Sequence, residues 1–412
     1  MIFESQVCAG VPMNRELRVA VDVGCNRHRV AVGLSDGGLI DEFDIAHDAA
    51  GLSLFFQRVG RHEREHGLPV AVAMEGYNGY ARPLDRQVLG RGYRLYNVNN
   101  LKLARYKEIF PAPAKTDAID ARRMLELFQF KDRVPQAREV LQEVGSVPIE
   151  HEQLKALTRW RKQLVAERIR AGNRLQANLQ ATCPGLLDLT GDAANLWFLT
   201  LLSCRDDLTK LKGLRLSSLL ALEGVGKLYA SKVCTWQQTA TFSEASAWMG
   251  PMIVSDARRM LELRAQIKAL EVRIQSLCQA SRMACQLHTI PGVGAVTAGE
   301  LTGEIGAIGR FESEASLAMY VGMAPLDNSS GKRTASKSPR QVNARARAAM
   351  MIVVARHIGC VPQSRAFYDK KRLQGKTHNQ ALRALGRHLI RVIWSMLQHN
   401  RDYQVRDPSK NT

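Results

Sequence analysis

The sequence predicts a mixed α/β domain at the N-terminus, then a helical coiled-coil region, then a mostly α-helical C-terminal domain. Apolar, β-rich runs are found in the first hundred residues, whereas later apolar residues recur at helical spacing. A chain of 412 residues is also too long for one ordinary core. We expect domains over 14–135, 136–285 and 286–400, and a tail over 401–412.

The first domain begins with strands. Within residues 17–46, two β-rich runs flank the polar turn C-N-R-H-R, and a third run follows Ser-Asp-Gly-Gly at 35–38, a hairpin signal. A helical stretch over 51–66 leads to a buried-strand candidate at 69–75, and a short strand at 93–98 precedes a helix. The pattern predicts an antiparallel start followed by strands that helices cover.

Two long charged helices are predicted after a linker at 131–150, which carries two prolines. One helix spans 151–180. The other spans 255–281 and has apolar residues at a/d spacing, namely Ile267, Leu270, Ile274 and Leu277. Because the repeat is short, pairing within the chain and a seam between two copies both fit.

Residues 221–251 and 289–325 are similar to each other. Both run from G-V-G into a helix, then through Ser-Glu-Ala-Ser to Met-Gly-Pro or Met-Ala-Pro. We interpret them as two related helical units, the first degenerate, with chance similarity of helix starts as the alternative. G-V-G fits contact with a phosphate backbone or an internally packed turn.

The charge balance favours a polyanionic partner. Lysine and arginine total 58 against 39 acidic residues, which gives a net charge of +19 and a pI near 9.8. Nucleic acid is the commonest polyanion that offsets such an excess, although a merely basic protein fits too. Eight cysteines without a C-x-x-C pair argue against a zinc finger or a disulfide framework. With neither a signal peptide nor a 20-residue apolar run, we expect a soluble, intracellular protein with no membrane partner.

Four acidic residues are candidates for a metal site. Asp22 lies in the apolar run L-R-V-A-V-D-V-G, where an ionised carboxylate requires a partner or a cation. Glu75 ends the run A-V-A-M-E-G, and Asp117 and Asp120 share one face of a helix start. Such hard oxygen ligands suit Mg²⁺ or Mn²⁺, and two ions about 3.5–4 Å apart serve phosphoryl transfer.

Each acid also has a structural interpretation. Asp117 could be an N-cap and Asp120 a first-turn charge that favours the helix dipole. Glu75 could pair with an arginine. Asp22 is the hardest to explain without a cation.

The combination of V-D-V-G, M-E-G-Y-N-G-Y and K-T-D-A-I-D-A-R resembles the RuvC-like DEDD domain of a family of insertion-sequence transposases. Members of that family are described as bridge-RNA-guided recombinases, and the Piv-type DNA invertases are relatives. The resemblance continues through I-P-G-V-G-A-V-T-A (290–298), Y-V-G-M-A-P (320–325) and D-N-S-S-G-K (327–332), and covers nearly all of 17–400. It implies an RNase H/RuvC-like N-terminal fold and a C-terminal transposase domain.

The resemblance implies that a serine before glycine is a nucleophile forming a phosphoserine link to DNA. Ser330 fits this position best, and Ser329 is the alternative because the serine is doubled. Such a hydroxyl needs activation by a base or a metal. Downstream, proline at 339 replaces a glycine typical of the family, so the roles of Arg345 and Arg347 as phosphate clamps do not carry over by register.

The leading hypothesis is therefore a DNA transposase or site-specific recombinase with a Mg²⁺ (or Mn²⁺) centre. The resemblance implies double-stranded DNA and a structured noncoding guide RNA as partners, and a homo-oligomer, dimer or tetramer. The alternatives are a metal-dependent nuclease or junction resolvase using only the four acids, and a non-catalytic nucleic-acid-binding protein.

Overall fold

The computed structural model describes residues 15–75, 82–109, 117–132, 140–324, 326–327, 336–337 and 342–404. The chain divides into two compact units, with the boundary between Ser146 and Val147. Among the described residues, no helix is both long enough and apolar enough to cross a bilayer.

The first unit is an α/β domain, as the sequence predicts. Its described strands are β1 (Leu17–Val23), β2 (Arg27–Leu34), β3 (Leu39–Ala46), β4 (Val70–Met74), β5 (Arg94–Val98) and β6 (Leu141–Glu143). Its described helices are α1 (Ala49–His66), α2 (Arg82–Gly90), α3 (Asn100–Ile109) and α4 (Asp117–Gln129).

The six strands form one sheet in the order β3-β2-β1-β4-β5-β6. β1, β2 and β3 pair antiparallel, as the hairpin signal predicts, whereas β1-β4 and β4-β5 pair parallel. β6 pairs antiparallel with β5, so the interpretation of 131–150 as a linker was wrong for residues 141–143. β6 is not predictable from the sequence, because an edge strand of three residues has too few positions to show an alternating pattern.

The two faces of the sheet carry different cores. On one face, strand residues such as Val19 and Val72 pack with the phenylalanines of α1 and with α2. On the other face, alanines of β1, β2 and β4 pack with α3 and α4. Small side chains let α4 approach the sheet closely, and Gly33 of β2 lies directly under Leu125. The alanine face is the one that bears the acidic residues described below.

The second unit is helical within its described residues. Its helices are α5 (Ile149–Thr182), α6 (Leu196–Ser203), α7 (Leu216–Leu220), α8 (Lys227–Thr239), α9 (Ser246–Ala280), α10 (Arg282–His288), α11 (Ala295–Ile305), α12 (Glu314–Tyr320), α13 (Ala344–Cys360), α14 (Pro362–Leu373) and α15 (His378–Gln398). Two short strands, β7 (Leu326–Asp327) and β8 (Ser336–Lys337), pair antiparallel.

The two long predicted helices, α5 and α9, pack on each other within the chain. Their shared core contains Leu154, Leu157 and Leu164 of α5 and Ile267, Leu270 and Ile274 of α9. Arg161 bonds Glu271, and Arg259 bonds Glu167, so the two helices run antiparallel. Of the two arrangements left open by the heptad pattern, the structure therefore contains the intramolecular one.

Candidate functional site in the α/β unit

Asp22 and Glu75 lie at the same level of two neighbouring parallel strands. Asp22 is near the end of β1, and Glu75 directly follows β4. Val21 of β1 is in register with Met74 of β4. The residues that follow them, Asp22 and Glu75, are therefore neighbours across the two strands. Side chains alternate between faces along a strand. Because Ala20 and Ala73 point into the α4 core, Asp22 and Glu75 belong to that same face. Both are half-buried, and Asp22 is the sixth residue of seven in β1, near its end.

Helix α4 brings Asp120 to this end of the sheet. At the far end, the guanidinium of Arg18 in β1 donates to the carbonyl of Phe128. Asp120 precedes Phe128 by eight helical residues, about 12 Å. Asp22 follows Arg18 by four strand residues, about 13 Å. Because α4 runs antiparallel to β1, both distances run from the Arg18–Phe128 contact towards the same end of the sheet. They are nearly equal, so Asp120 lies at the level of Asp22.

An ion pair midway along α4 agrees with this alignment. The Nη2 atom of Arg122 donates to Oε2 of Glu42 in β3 at 2.6 Å. Glu42 is in register with Ala31, and Ala31 with Ala20. The hydrogen bond from Arg122, burial and the nearby charge of Arg29 act on the Glu42 carboxyl with a net lowering of its pKa. Glu42 therefore remains ionised at neutral pH and fixes the first turns of α4 across the sheet.

Asp117 is the first residue of α4, and the placement of its side chain lies outside the described residues. Asp120 is three residues further on and half-buried. Positions i and i+3 share a helix face. The first turn of α4 is thus the part of the helix nearest the ends of β1 and β4.

Sequence reasoning missed a buried ionic cluster at the other end of β1. Arg18 and Glu16 are 0% and 1% exposed, and Arg18 Nε donates to Glu16 Oε1 at 2.9 Å. Arg94 of β5 also pairs with Glu16. The signal was available, since E-L-R-V places two charges two apart at a strand start. We ascribe to this cluster the anchoring of Phe128, and through it the position of α4.

The predicted nucleophiles, Ser329 and Ser330, lie outside the described residues, in the segment between β7 and β8. Among the described residues, the backbone N–H of Asn343, which precedes α13, donates to the carbonyl of Tyr320, the last residue of α12, at 2.8 Å. Arg345 and Arg347 follow in the first turn of α13, which Asn343 caps through its side chain.

The two predicted helical units have the same local geometry at their glycines. Gly224 and Gly292 both have left-handed φ values, +79° and +88°, and two residues later a glycine N-caps the following helix. Gly224 packs on Trp197, and Gly292 on the backbone of Arg356. Val225 and Val293, at the centres of the two turns, are buried, whereas Gly224 and Gly226 are exposed, so the turns combine internal packing with exposed glycine backbone.

The units diverge after this start. In the first one, residues 249–251 lie inside helix α9, whereas in the second one Met323 and Ala324 lie beyond the end of α12.

Comparison with known proteins identifies the class. Residues 19–184 match the DEDD model for IS110 elements, described as transposase, and residues 284–369 match a model described as the IS116/IS110/IS902 transposase family. Both matched segments are thus segments of transposases. The chain belongs to the IS110/IS116 family of transposases.

Full-length relatives come from insertion elements. The chain is 28% identical to a 43.6 kDa protein of insertion element IS110 from Streptomyces coelicolor, over 77% of this chain and 79% of that protein. It is 27% identical to a 44.8 kDa protein of IS116 from Streptomyces clavuligerus, over 94% of this chain and 99% of that protein. A pilin gene-inverting protein from Moraxella bovis is 30% identical over 31% of this chain and 41% of its own length.

Proposed function

We propose that this transposase cuts and rejoins DNA with two sets of groups, the acidic face formed by Asp22, Glu75 and Asp120 and a serine in the segment between β7 and β8. The observation that carries the proposal is the common position of Asp22, Glu75 and Asp120 at one end of one sheet face, within a segment that matches a DEDD transposase model. The comparison supports transposition, and the serine is carried by the resemblance of D-N-S-S-G-K to the family motif.

The acidic face fits hard divalent cations. Asp22, Glu75, Asp117 and Asp120 would hold Mg²⁺ or Mn²⁺, because carboxylate oxygens are the donors these ions prefer. Half-burial of Asp22 and Glu75 leaves them open to a phosphodiester while the sheet fixes their spacing. When bound, the ions supply charge stabilisation at the phosphate and lower the pKa of a coordinated oxygen nucleophile.

The covalent step proposed for the serine is a transfer of the phosphodiester from deoxyribose to the protein. The hydroxyl oxygen of Ser330 attacks the phosphorus, a new P–O bond to serine forms, and the bond from phosphorus to one deoxyribose oxygen breaks. The hydroxyl proton leaves the serine, and the departing sugar oxygen takes up a proton. Attack of a sugar hydroxyl from the second DNA partner on the phosphoserine reverses these changes and reseals the strand.

The partners proposed follow from the same resemblance and from the charge. A net charge of +19 suits contact with phosphate backbones of DNA and of a structured noncoding RNA. Few aromatic residues argue that sequence choice rests on base pairing rather than on stacking platforms. We propose that the RNA pairs with both DNA partners and that the protein acts as a dimer or tetramer.

A denaturing gel for a protein–DNA adduct tests the serine. Wild type should give an adduct with supercoiled substrate and Mg²⁺, Ser330→Ala should give none, and Ser329→Ala should retain it. If both variants recombine DNA like wild type, the serine assignment fails and a resolvase that uses only the acids takes its place. An adduct retained by Ser330→Ala but lost in Ser329→Ala would move the nucleophile by one residue.

The acids are tested with isosteric amides. Asp22→Asn, Glu75→Gln and Asp120→Asn should each abolish strand cleavage but leave DNA binding intact, since the overall positive charge is retained. A matched control is Asp36→Asn, in the turn between β2 and β3. Wild-type cleavage rates in all three amide variants would show that these acids take no part in cleavage, whereas DNA binding without any cleavage by wild type would show a non-catalytic DNA-binding protein.

The guide RNA is tested by recovery of a discrete RNA with the protein expressed from its native locus. If no discrete RNA is recovered, the proposal of a guide RNA fails.

A further inference from the structure

A second group of ligand-type side chains lies on α1, away from the acidic face. His62, Glu65 and His66 occupy positions i, i+3 and i+4, so they share one face of the last helical turn. Their ligand atoms all lie within 4.8 Å of one another. His62 is buried at 5% exposure, and the other two are exposed.

Asp41 and Arg58 fix the ring of the buried histidine, His62. Its Nε2 atom lies 3.0 Å from Oδ2 of Asp41 in β3, and since a carboxylate only accepts, Nε2 carries a proton. Asp41 is fixed in turn by two hydrogen bonds from Arg58, at 2.6 and 3.1 Å. The Arg58 guanidinium lies 4.3 Å over the ring of Phe43. A carboxylate behind a histidine in this manner fixes the ring and its tautomer in metal sites.

The other ring nitrogen then faces an acceptor. Nδ1 of His62 lies 3.1 Å from Oε2 of Glu65. A ring protonated at Nε2 alone presents a lone pair at Nδ1, and two lone pairs at that distance need a positive species, a proton or a metal ion, shared between them. Arg61 does not supply this positive species. Its Nη2 atom lies 3.4 Å from Nε2 of His62, and its Nε atom lies 3.5 Å from Oε1 of Glu65, whereas the contact in question joins Nδ1 and Oε2.

We propose that Nδ1 of His62, the carboxylate of Glu65 and the imidazole of His66 bind one divalent transition-metal ion of the zinc class. Two imidazoles and one carboxylate are the ligands Zn²⁺ takes, and water completes a tetrahedral set. Mg²⁺ prefers an all-oxygen set, so this site would select a different ion from the one proposed for the acidic face.

This site is separate from the acidic face. α1 packs on the valine face of the sheet, whereas Asp22 and Glu75 belong to the alanine face. β4 starts at Val70, shortly after His66, and ends before Glu75, and its five residues span about 16 Å. Loss of one site should therefore leave the other intact, and the inference does not depend on the proposed function.

Cobalt substitution tests the site. Full-length protein without an affinity tag, stripped with chelator and held in Mg²⁺, is titrated with Co²⁺ under visible absorption, and Zn²⁺ is then added as competitor. We expect one Co²⁺ per chain that Zn²⁺ displaces, with the intense absorption of a tetrahedral site. Because Mg²⁺ saturates hard oxygen sites, the acidic face should contribute little to this signal.

Variants at the two exposed ligands and at the half-buried Asp41 assign the site. His66→Ala and Glu65→Ala should each weaken Co²⁺ and Zn²⁺ binding by roughly tenfold or more, and Asp41→Asn by about 10- to 100-fold. His288→Ala, at an exposed histidine of α10, is the matched control and should bind like wild type. Circular dichroism confirms the fold of each.

Two results would overturn the proposal. One is the absence of a Zn²⁺-displaceable Co²⁺ spectrum in wild type. The other is unchanged affinity in both His66→Ala and Glu65→Ala.

Discussion

Glu304 of α11 has a carboxylate at 0% exposure, and three residues donate four hydrogen bonds to this glutamate. Arg159 of α5 donates two hydrogen bonds to it, at 2.7 and 2.8 Å, and the Asn343 amide donates a third at 2.7 Å. The hydroxyl of Tyr320 donates to its backbone carbonyl. Burial acts to raise the pKa of Glu304, but the bonds from Arg159 and Asn343 lower it overall.

Replacement of Arg159 should therefore destabilise the helical unit strongly. Arg159→Met leaves a buried charge without its main partner, and we expect a loss of about 3–5 kcal/mol in the free energy of unfolding. Urea denaturation measures it. Lys162→Met is the matched control, since its bond to Glu300 is 3.5 Å long and half-exposed, and it should lose about 1 kcal/mol or less. Equal losses in the two variants would contradict the account of Glu304.

At the scale of elements, α11 and α5 meet at a glycine. A Cβ added at Gly303 would lie 2.5 Å from the backbone nitrogen of Lys155 and 2.6 Å from its Cα. Such contacts are with backbone, which cannot rotate away. The glycine therefore sets how closely the two helices pack, and with it the position of Glu304 against Arg159.

Gly303→Ala should separate these helices. Alanine is the better helix former, so propensity alone predicts a gain of about 0.5–1 kcal/mol. The close contact should outweigh that gain and give a net loss of about 1–3 kcal/mol, measured by urea denaturation. Gly309→Ala has open space around its Cβ and serves as the control. Stabilisation by Gly303→Ala would show that the packing relaxes freely.

At the scale of the whole molecule, each unit buries a histidine that resists protonation. Burial lowers the pKa of His28 in β2, and the neighbouring charge of His47 lowers it further. Burial also lowers the pKa of His357 in α13. Since the unfolded chain binds these protons near pH 6.5, the unfolded state gains protons first as the pH falls. Stability is therefore fully present above about pH 7 and decreases below pH 6.5.

Thermal or urea unfolding between pH 7.5 and 5.5 measures this dependence. Each such histidine contributes a slope of at most about 1.4 kcal/mol per pH unit. His357→Phe should flatten the slope of the helical unit, while Tyr403→Phe, which removes the ring's hydrogen-bond partner but keeps the histidine, should retain it. A slope unaffected by His357→Phe would place the proton uptake elsewhere.

The order of the strands and the long helices could be read from local patterns. Ser-Asp-Gly-Gly predicts the β2-β3 turn, and the a/d positions predict the buried residues of α9, because both signals depend on neighbours a few residues away. β6 could not be read this way, since its pairing with β5 comes from residues more than forty positions apart. The start of α9 at Ser246 was missed because Pro251 suggests a later start.

The sequence by itself determined the family, the α/β-then-helical order and the four acidic candidates, because motif spacing and hydrophobic period are properties of the chain alone. Only the tertiary structure decided that Asp22, Glu75 and the first turn of α4 lie at one end of one sheet face, since parallel register and the antiparallel run of α4 join residues up to 110 positions apart. It also decided that α5 pairs with α9 in the same chain, and that His62 is held by Asp41 of another element.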